Sequence, residues 1–160
     1  MIIDDLQLTI VMKSFDVISN SPEETIEIGR KIGSQLKGGE IVAVCGQLGS
    51  GKTHLIKGIA VGAGAKGSKE VTSPSFVIVN QYTGRLNIYH IDAYRLSSVG
   101  EFEMLGFDDF CNPESVVLIE WADKVESALR NVSYILVELC HKGTTRRGIR
   151  LINVPEYIVL

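Results

Sequence analysis

The chain contains few cysteines, and their spacing does not resemble that of a metal site. Its three cysteines, Cys45, Cys111 and Cys140, form no C-x-x-C pair, and no histidine lies at ligand spacing from them. Cys45 and Cys140 stand in apolar, strand-like runs, which predicts small buried thiols rather than disulfide partners or metal ligands. This cysteine usage indicates a reducing compartment, and we expect a cytoplasmic protein.

The sequence also lacks an excess of positive charge and a long apolar segment. Its net charge is −3, which argues against extensive independent binding to nucleic acid. One small basic cluster (Arg146, Arg147 and Arg150) is more typical of a solvated strand face, although contact with RNA or an acidic partner stays open. The chain begins with no basic leader and has no run of membrane-spanning length, so we expect no membrane association. A length of 160 residues predicts a single domain over 1–160.

The most informative segment that the chain does contain is a glycine-rich octet at residues 46–53. It reads Gly-Gln-Leu-Gly-Ser-Gly-Lys-Thr and matches the phosphate-binding pattern G-x-x-x-x-G-K-[ST] at every fixed position. Glycines let successive N–H groups turn toward one anion, and a helix beginning near Gly51 would direct its positive end at the same phosphates. We expect Lys52 to reach the β- and γ-phosphates and the Thr53 hydroxyl to hold Mg²⁺. The expected nucleotide contacts in this region are Gly46, Leu48, Gly49, Ser50, Gly51, Lys52, Thr53 and His54.

The hydrophobic pattern of the remaining chain alternates between strand-like and helix-like segments. Ser21-Pro22-Glu23-Glu24 is typical of a helix start, with serine as N-cap and Glu24 closing a capping box. Two β-rich runs separated by Thr83-Gly84-Arg85 predict an antiparallel hairpin. We therefore predict an α/β fold, a three-layer domain of the P-loop NTPase type with a mixed parallel and antiparallel sheet. The segments predicted to be strands from Phe76 onward are 76–82, 86–91, 115–120, 133–140 and 148–153.

Two acidic residues, Asp92 and Glu120, stand directly after predicted strands. Ligands of open α/β sheets sit beyond the carboxyl ends of the strands, so both side chains are expected to face the phosphates. Hydrolysis requires a carboxylate at the metal and a group that orients water. Glu120 is the expected Walker-B-type carboxylate, and Asp92 is a candidate for a second Mg²⁺ contact or for positioning the water. The predicted catalytic set is Lys52, Asp92 and Glu120.

Other polar and aromatic residues are less sharply defined by the sequence. Thr72 and Ser73 precede Pro74, and they form either a switch segment that senses the γ-phosphate or Mg²⁺ or a turn into the next strand. Trp121 follows Glu120 and is therefore expected near the nucleotide. Arg95 could meet a phosphate, but pairing with an acid is the favoured expectation. No catalytic pairing is expected for the three histidines, which are His54, His90 and His141.

Four segments occur together in the order found in one bacterial family. On these segments the chain resembles the TsaE (YjeE) family, the small ATPase of bacterial tRNA threonylcarbamoyladenosine biosynthesis. The resemblance implies ATP and Mg²⁺ as cofactors, with Thr72 and Ser73 as the switch and Trp121 close to the nucleotide. It implies Thr53, Glu120 and Asp92 at the metal. The segments are 46–53, 71–76 (V-T-S-P-S-F), 89–96 (Y-H-I-D-A-Y-R-L) and 119–122 (I-E-W-A).

The resemblance also implies a partner and leaves alternatives open. The implied partner is the TsaB–TsaD heterodimer, bound in an ATP-dependent way, in which TsaD modifies adenosine 37 of tRNA; tRNA would be contacted through the complex or weakly. The chain would support turnover of that complex. Two alternatives remain: a nucleotide-gated binding protein with incidental hydrolysis, and a stand-alone small-molecule kinase. The paired acids disfavour the first alternative, and the lack of a recognisable arginine-rich lid disfavours the second. The chain has no N-K-x-D motif, which disfavours a GTPase.

Overall fold

A computed structural model describes residues 12–66 and 78–160 of the chain. Within these two ranges, seven strands form one mixed sheet, and four α-helices and two 3-10 helices pack on its two faces. The strands are β1 (Lys13–Ser19), β2 (Ile41–Gly46), β3 (Val79–Thr83), β4 (Asn87–Asp92), β5 (Ser115–Glu120), β6 (Ile135–His141) and β7 (Arg147–Val154). The helices are α1 (Pro22–Gln35), α2 (Lys52–Gly62), α3 (Val99–Met104) and α4 (Phe107–Phe110), with 3-10 helices at Ala93–Arg95 and Ala122–Leu129.

The strand order across the sheet is β1-β7-β6-β2-β5-β4-β3. The four central strands, β6, β2, β5 and β4, are parallel, whereas the pairs β1/β7, β6/β7 and β3/β4 are antiparallel. One apolar cluster packs under α1 and α2, and a second packs under the 3-10 helices, α3 and α4. The predicted α/β fold with a mixed sheet is therefore confirmed. All six residues of β5 are buried, as its uninterrupted apolar run indicates.

The start of α1 follows the predicted capping pattern with one difference. The Ser21 hydroxyl accepts a hydrogen bond from the N–H of Glu24 at 3.1 Å, and Pro22 occupies the first helical turn. The Glu24 carboxylate accepts from the N–H of Asn20 at 2.6 Å, one residue before the cap. The carboxylate thus still satisfies a backbone donor at the helix start, where a negative charge is favoured.

Helices α1 and α2 approach each other through facing glycines. Gly29 and Gly33 of α1, and Gly58 and Gly62 of α2, are each spaced four residues apart and lie on the contacting faces. A Cβ atom at Gly58 would overlap the carbonyl of Ile26, because the two backbones are in direct contact there. This contact fixes the position of α1 relative to α2.

The exposure of the cysteines corrects one expectation. Cys45 is half-buried, and burial, followed by the charge of Asp123, raises the pKa of its thiol to about 11. Cys140 is exposed, so the prediction of a buried thiol there is wrong. Residues of β6 alternate between faces, and Leu139 takes the core position while Cys140 faces solvent. No helix within 12–66 or 78–160 is long and apolar enough to cross a membrane.

Candidate active site

The glycine-rich octet forms the connection from β2 to α2. Gly49 and Gly51 adopt positive φ angles of 75° and 99°, which residues with a Cβ rarely adopt. Gly51 is the N-cap of α2, and no side chain caps that end. The N–H groups of Gly49, Gly51 and Lys52 donate to no backbone acceptor within the described ranges. A loop with such N–H groups at a helix start is suited to bind phosphate oxygens.

Lys52 lies inside this loop rather than in solvent. Its Nζ donates to the carbonyl oxygens of Gly46 at 2.6 Å and Gln47 at 2.8 Å. The same ammonium lies 3.7 Å from the centre of the Trp121 ring, a cation–π distance. Burial lowers the pKa of Lys52 from its ordinary value, and the nearby charge of Glu120 acts in the opposite direction. The ammonium is thus held among weak acceptors at the position where the octet pattern requires a phosphate contact.

Glu120 connects the start of α2 with β4 through two hydrogen bonds. The Thr53 hydroxyl donates to its Oε1 at 2.6 Å, and Nε2 of His90 lies 2.9 Å from its Oε2. Glu120 and His90 are both buried. A hydroxyl and a carboxylate oxygen are the ligand types that Mg²⁺ accepts, and Mg²⁺ usually takes few protein ligands together with substrate phosphates. Thr53 and Glu120 therefore fit a nucleotide-bound Mg²⁺.

Asp92 lies beside Glu120 at the carboxyl ends of β4 and β5. The two residues are direct partners in the parallel register. Oδ1 of Asp92 accepts from the N–H of Tyr94 at 3.1 Å, and Oδ2 accepts from Nε of Arg95 at 3.3 Å. Asp92 thereby caps the 3-10 helix that follows β4, and Arg95 pairs with an acid as predicted.

Trp121 takes a backbone conformation that is uncommon for a bulky residue. Its φ and ψ angles are 59° and 42°, in the left-handed region. The ring packs against Tyr94, with 4.9 Å between the ring centres. The Lys52 ammonium lies over the same ring. The turn after β5 thus places the indole beside the phosphate loop.

The same residues line one cleft of about 380 Å³, a volume in the range of small-molecule sites. Seven of the predicted nucleotide contacts line this cleft, together with Asp92 and Glu120. Of the other predicted contacts, Gly46 and Ser50 do not line it. Thr72 and Ser73 lie outside the described residues. The cleft is lined by Pro22, Thr25, Leu48, Gly49, Gly51, Lys52, Thr53, His54, Asp92, Tyr94, Glu120, Trp121, Thr145 and Arg147.

The family to which the chain belongs follows from a comparison with models of protein families. The family model described as "Threonylcarbamoyl adenosine biosynthesis protein TsaE" matches residues 19–149, which include every described residue of the phosphate loop and both strand-end acids. The chain belongs to the TsaE family.

Individual relatives agree with this assignment. The chain is 38% identical over 112 residues to the tRNA threonylcarbamoyladenosine biosynthesis protein TsaE of Treponema pallidum, covering 70% of this chain and 82% of that protein. It is 38% identical over 119 residues to the TsaE protein of Bacillus subtilis, covering 74% and 73%. Among solved structures, YdiB of Bacillus subtilis superposes with a TM-score of 0.72 at 29% identity and covers 92% of this chain and 90% of that one.

Several cleft residues of this TsaE-family chain were not expected from the sequence. Arg147 is half-buried, lines the cleft, and donates from Nη2 to the carbonyl of Gly49 at 3.3 Å. Of the basic cluster, Arg147 therefore lies at the cleft, whereas Arg150 is exposed and pairs with Asp16 at 2.9 Å, as expected for a solvated strand face. Thr25 and Thr145 reach the cleft from the first turn of α1 and the β6–β7 turn. No local pattern signals these contacts, because they depend on how distant segments fold together.

A contact that the sequence did not predict joins a histidine to one of the two strand-end acids. His90 contacts Glu120, since β4 and β5 are neighbours in the sheet. The sequence does contain one signal for this contact. His90 precedes Asp92 by two residues, and residues two apart in a strand lie on the same face of the sheet.

Proposed function

We propose that this chain binds ATP with Mg²⁺, hydrolyses the ATP, and thereby supports turnover of the TsaB–TsaD complex in tRNA threonylcarbamoyladenosine modification. The observation that carries the ATPase proposal is the hydrogen bond from Thr53 to Glu120 at the mouth of the phosphate loop. The pathway is supported by the printed names of the relatives, which are threonylcarbamoyladenosine biosynthesis proteins.

In this proposal, the loop and the start of α2 bind the phosphates. The N–H groups of the loop donate hydrogen bonds to the negative phosphate oxygens, and the Lys52 ammonium exchanges its carbonyl partners, Gly46 and Gln47, for the β- and γ-phosphates. Thr53 and Glu120 hold Mg²⁺, which neutralises charge on the phosphates. Charged hydrogen bonds to phosphate are stronger than those to carbonyl groups, so this exchange is favourable.

The two acids take separate roles in this scheme. Glu120 is bonded to Thr53, the hydroxyl expected at the metal, so we assign Glu120 to Mg²⁺. Asp92 is fixed by the N–H of Tyr94 and by Arg95, and each carboxylate oxygen can still accept a further hydrogen bond. We therefore assign Asp92 to orienting the attacking water, with no covalent intermediate on the protein.

The β6–β7 turn supplies a positive charge to the same cleft. Replacing Arg147 with alanine is expected to weaken ATP binding by about tenfold, because a charged hydrogen-bond donor at the cleft is lost. Calorimetric titration of ATP measures the change. Arg150→Ala is the matched control, since that arginine is exposed and bonded to Asp16. Equal affinities for both variants would exclude a nucleotide contact by Arg147.

The proposed function is tested by multi-turnover threonylcarbamoylation of tRNA. TsaB–TsaD is supplied with threonylcarbamoyl-adenylate, ATP and either the wild-type chain or its Lys52→Ala variant. We expect the wild type alone to stimulate product formation, because the variant lacks the ammonium that contacts the phosphates. If a wild-type protein that demonstrably binds ATP gives no stimulation, the proposal fails in favour of a stand-alone kinase or another nucleotide-gated partner.

A further inference from the structure

His90 is a buried imidazole on β4, the strand beside the one that ends in Glu120, directly behind the candidate metal site. The residue is 0% exposed, and its Nε2 lies 2.9 Å from Oε2 of Glu120. Oε1, the other oxygen of that carboxylate, accepts from Thr53 at 2.6 Å. The two oxygens of Glu120 therefore face two different elements, with Thr53 on α2 and His90 on β4.

The parallel register explains how His90 reaches Glu120. In the β4–β5 pair, Asp92 lies opposite Glu120 and His90 lies opposite Leu118. His90 and Glu120 are thus diagonal neighbours on one face of the sheet, within reach of long side chains. A hydrogen bond along this diagonal holds the Glu120 carboxylate toward His90 and restricts rotation about the side-chain torsions of Glu120.

Among the described residues, the surroundings of His90 on its face of the sheet are mostly apolar. The neighbouring positions on the same face, Ile88, Val116 and Leu118, are fully buried and belong to the apolar cluster under α2. The Nδ1 atom of His90 is buried and has no hydrogen-bond partner in the described part of the chain. Asn80 lies opposite on β3, but its amide donates to the hydroxyl of Tyr82. Burial of an unpaired polar atom is unfavourable, and an aliphatic residue would avoid it.

We propose that His90 is a positioning residue that orients the Glu120 carboxylate, so that its Oε1 faces Thr53 and the metal while Oε2 is occupied by the Nε2–H of the imidazole. An ionised carboxylate is only an acceptor, so this hydrogen bond requires the proton on Nε2. His90 does not touch the nucleotide in this scheme. Hydrogen bonds of this kind to metal-binding side chains commonly change metal affinity by about 10–100-fold. The inference rests on the proposed binding of Mg²⁺ and ATP.

Two substitutions separate the hydrogen bond from the volume of the side chain. The amide nitrogen of His90→Gln reaches about as far as Nε2, whereas that of His90→Asn corresponds to the shorter Nδ1 position. ATP binding is measured by calorimetry across a series of Mg²⁺ concentrations. Mg²⁺ is expected to enhance ATP binding, and the Mg²⁺ concentration that gives half of this enhancement is the quantity compared. We expect it to rise about tenfold in His90→Asn and less than about threefold in His90→Gln. Leu118→Val controls for a small packing change at the opposite strand position.

The outcomes distinguish this inference from the proposed function. If wild type binds ATP without any Mg²⁺ enhancement, the proposed metal site fails. If wild type shows the enhancement and the asparagine variant shifts no more than the glutamine variant or Leu118→Val, the positioning role fails. Nitrogen-15 NMR of the wild-type histidines, with His90 assigned through the glutamine variant, gives a test independent of folding of the asparagine variant. A proton on Nε2 supports the inference, and an unprotonated Nε2 overturns it.

Discussion

ATP hydrolysis is expected to fall by about 100-fold or more when Glu120 is replaced by glutamine, while ATP affinity changes only a few-fold. The substitution keeps the size of the side chain and its acceptor for Thr53, but it removes the negative charge from the proposed metal ligand. The effect is large because the carboxylate is buried, where a charge acts through a medium of low dielectric constant. Phosphate release under saturating Mg²⁺ and ATP measures the rate, and calorimetry measures the affinity.

Glu138→Gln is the matched control for this experiment. Glu138 lies on β6, beside the strand that leads into the phosphate loop, but its side chain is exposed and does not line the cleft. We expect its hydrolysis rate to equal that of wild type. An equal loss in both variants would contradict a specific role for Glu120. If Glu120→Gln loses hydrolysis yet still stimulates TsaB–TsaD through many turnovers, nucleotide-gated binding replaces ATP hydrolysis as the function.

Replacing Gly58 with alanine is expected to lower the free energy of unfolding by about 3 kcal/mol. Alanine in a helix interior ordinarily stabilises by up to about 1 kcal/mol relative to glycine. Here the added Cβ overlaps the backbone of Ile26, and backbone cannot move aside as a flexible side chain can. The helices must separate, and the packing between them is lost along the contact. Urea denaturation monitored by circular dichroism measures the change in free energy. In a thermal melt, the same change is expected to lower the Tm by roughly 10 °C.

Gly100→Ala provides the opposite expectation within the same chain. Gly100 lies in α3, is exposed, and would place its Cβ in ordinary contact with the Ser98 hydroxyl at 3.6 Å. This variant is expected to be as stable as wild type or more stable by about 0.5–1 kcal/mol. If Gly58→Ala proves no less stable than Gly100→Ala, the tight approach of α1 and α2 is incorrect.

The parts of the molecule that follow from the sequence are those determined by neighbouring residues. The phosphate loop is one example, because the glycines, Lys52 and Thr53 lie within a single octet and the turn they form is local. The strand at 115–120 is another, since an uninterrupted apolar run indicates burial on both faces. Thr72 and Ser73 remain predicted switch residues.

The features that the sequence did not indicate depend on contacts between distant segments. His90 meets Glu120 only because β4 and β5 are adjacent, and Arg147 reaches Gly49 only because the β6–β7 turn folds over the phosphate loop. Neither neighbour can be read from spacing along the chain. Cys140 shows a different failure, because apolar neighbours do not establish burial where alternation along β6 places successive residues on opposite faces.

The glycine contact between α1 and α2 makes the two walls of the cleft unequal in how firmly they are held. Pro22 and Thr25 form one wall of the cleft from the first turn of α1, and that helix is joined to α2 through backbone contact. Moving this wall would separate the helices along their whole interface. The opposite wall, at the β6–β7 turn, touches the loop through Arg147 and Gly49 with an exposed hydrogen bond of 3.3 Å, which is weak. The β6–β7 turn is therefore the wall that can be displaced at the lower cost in free energy, and any widening of the cleft is expected there rather than at α1.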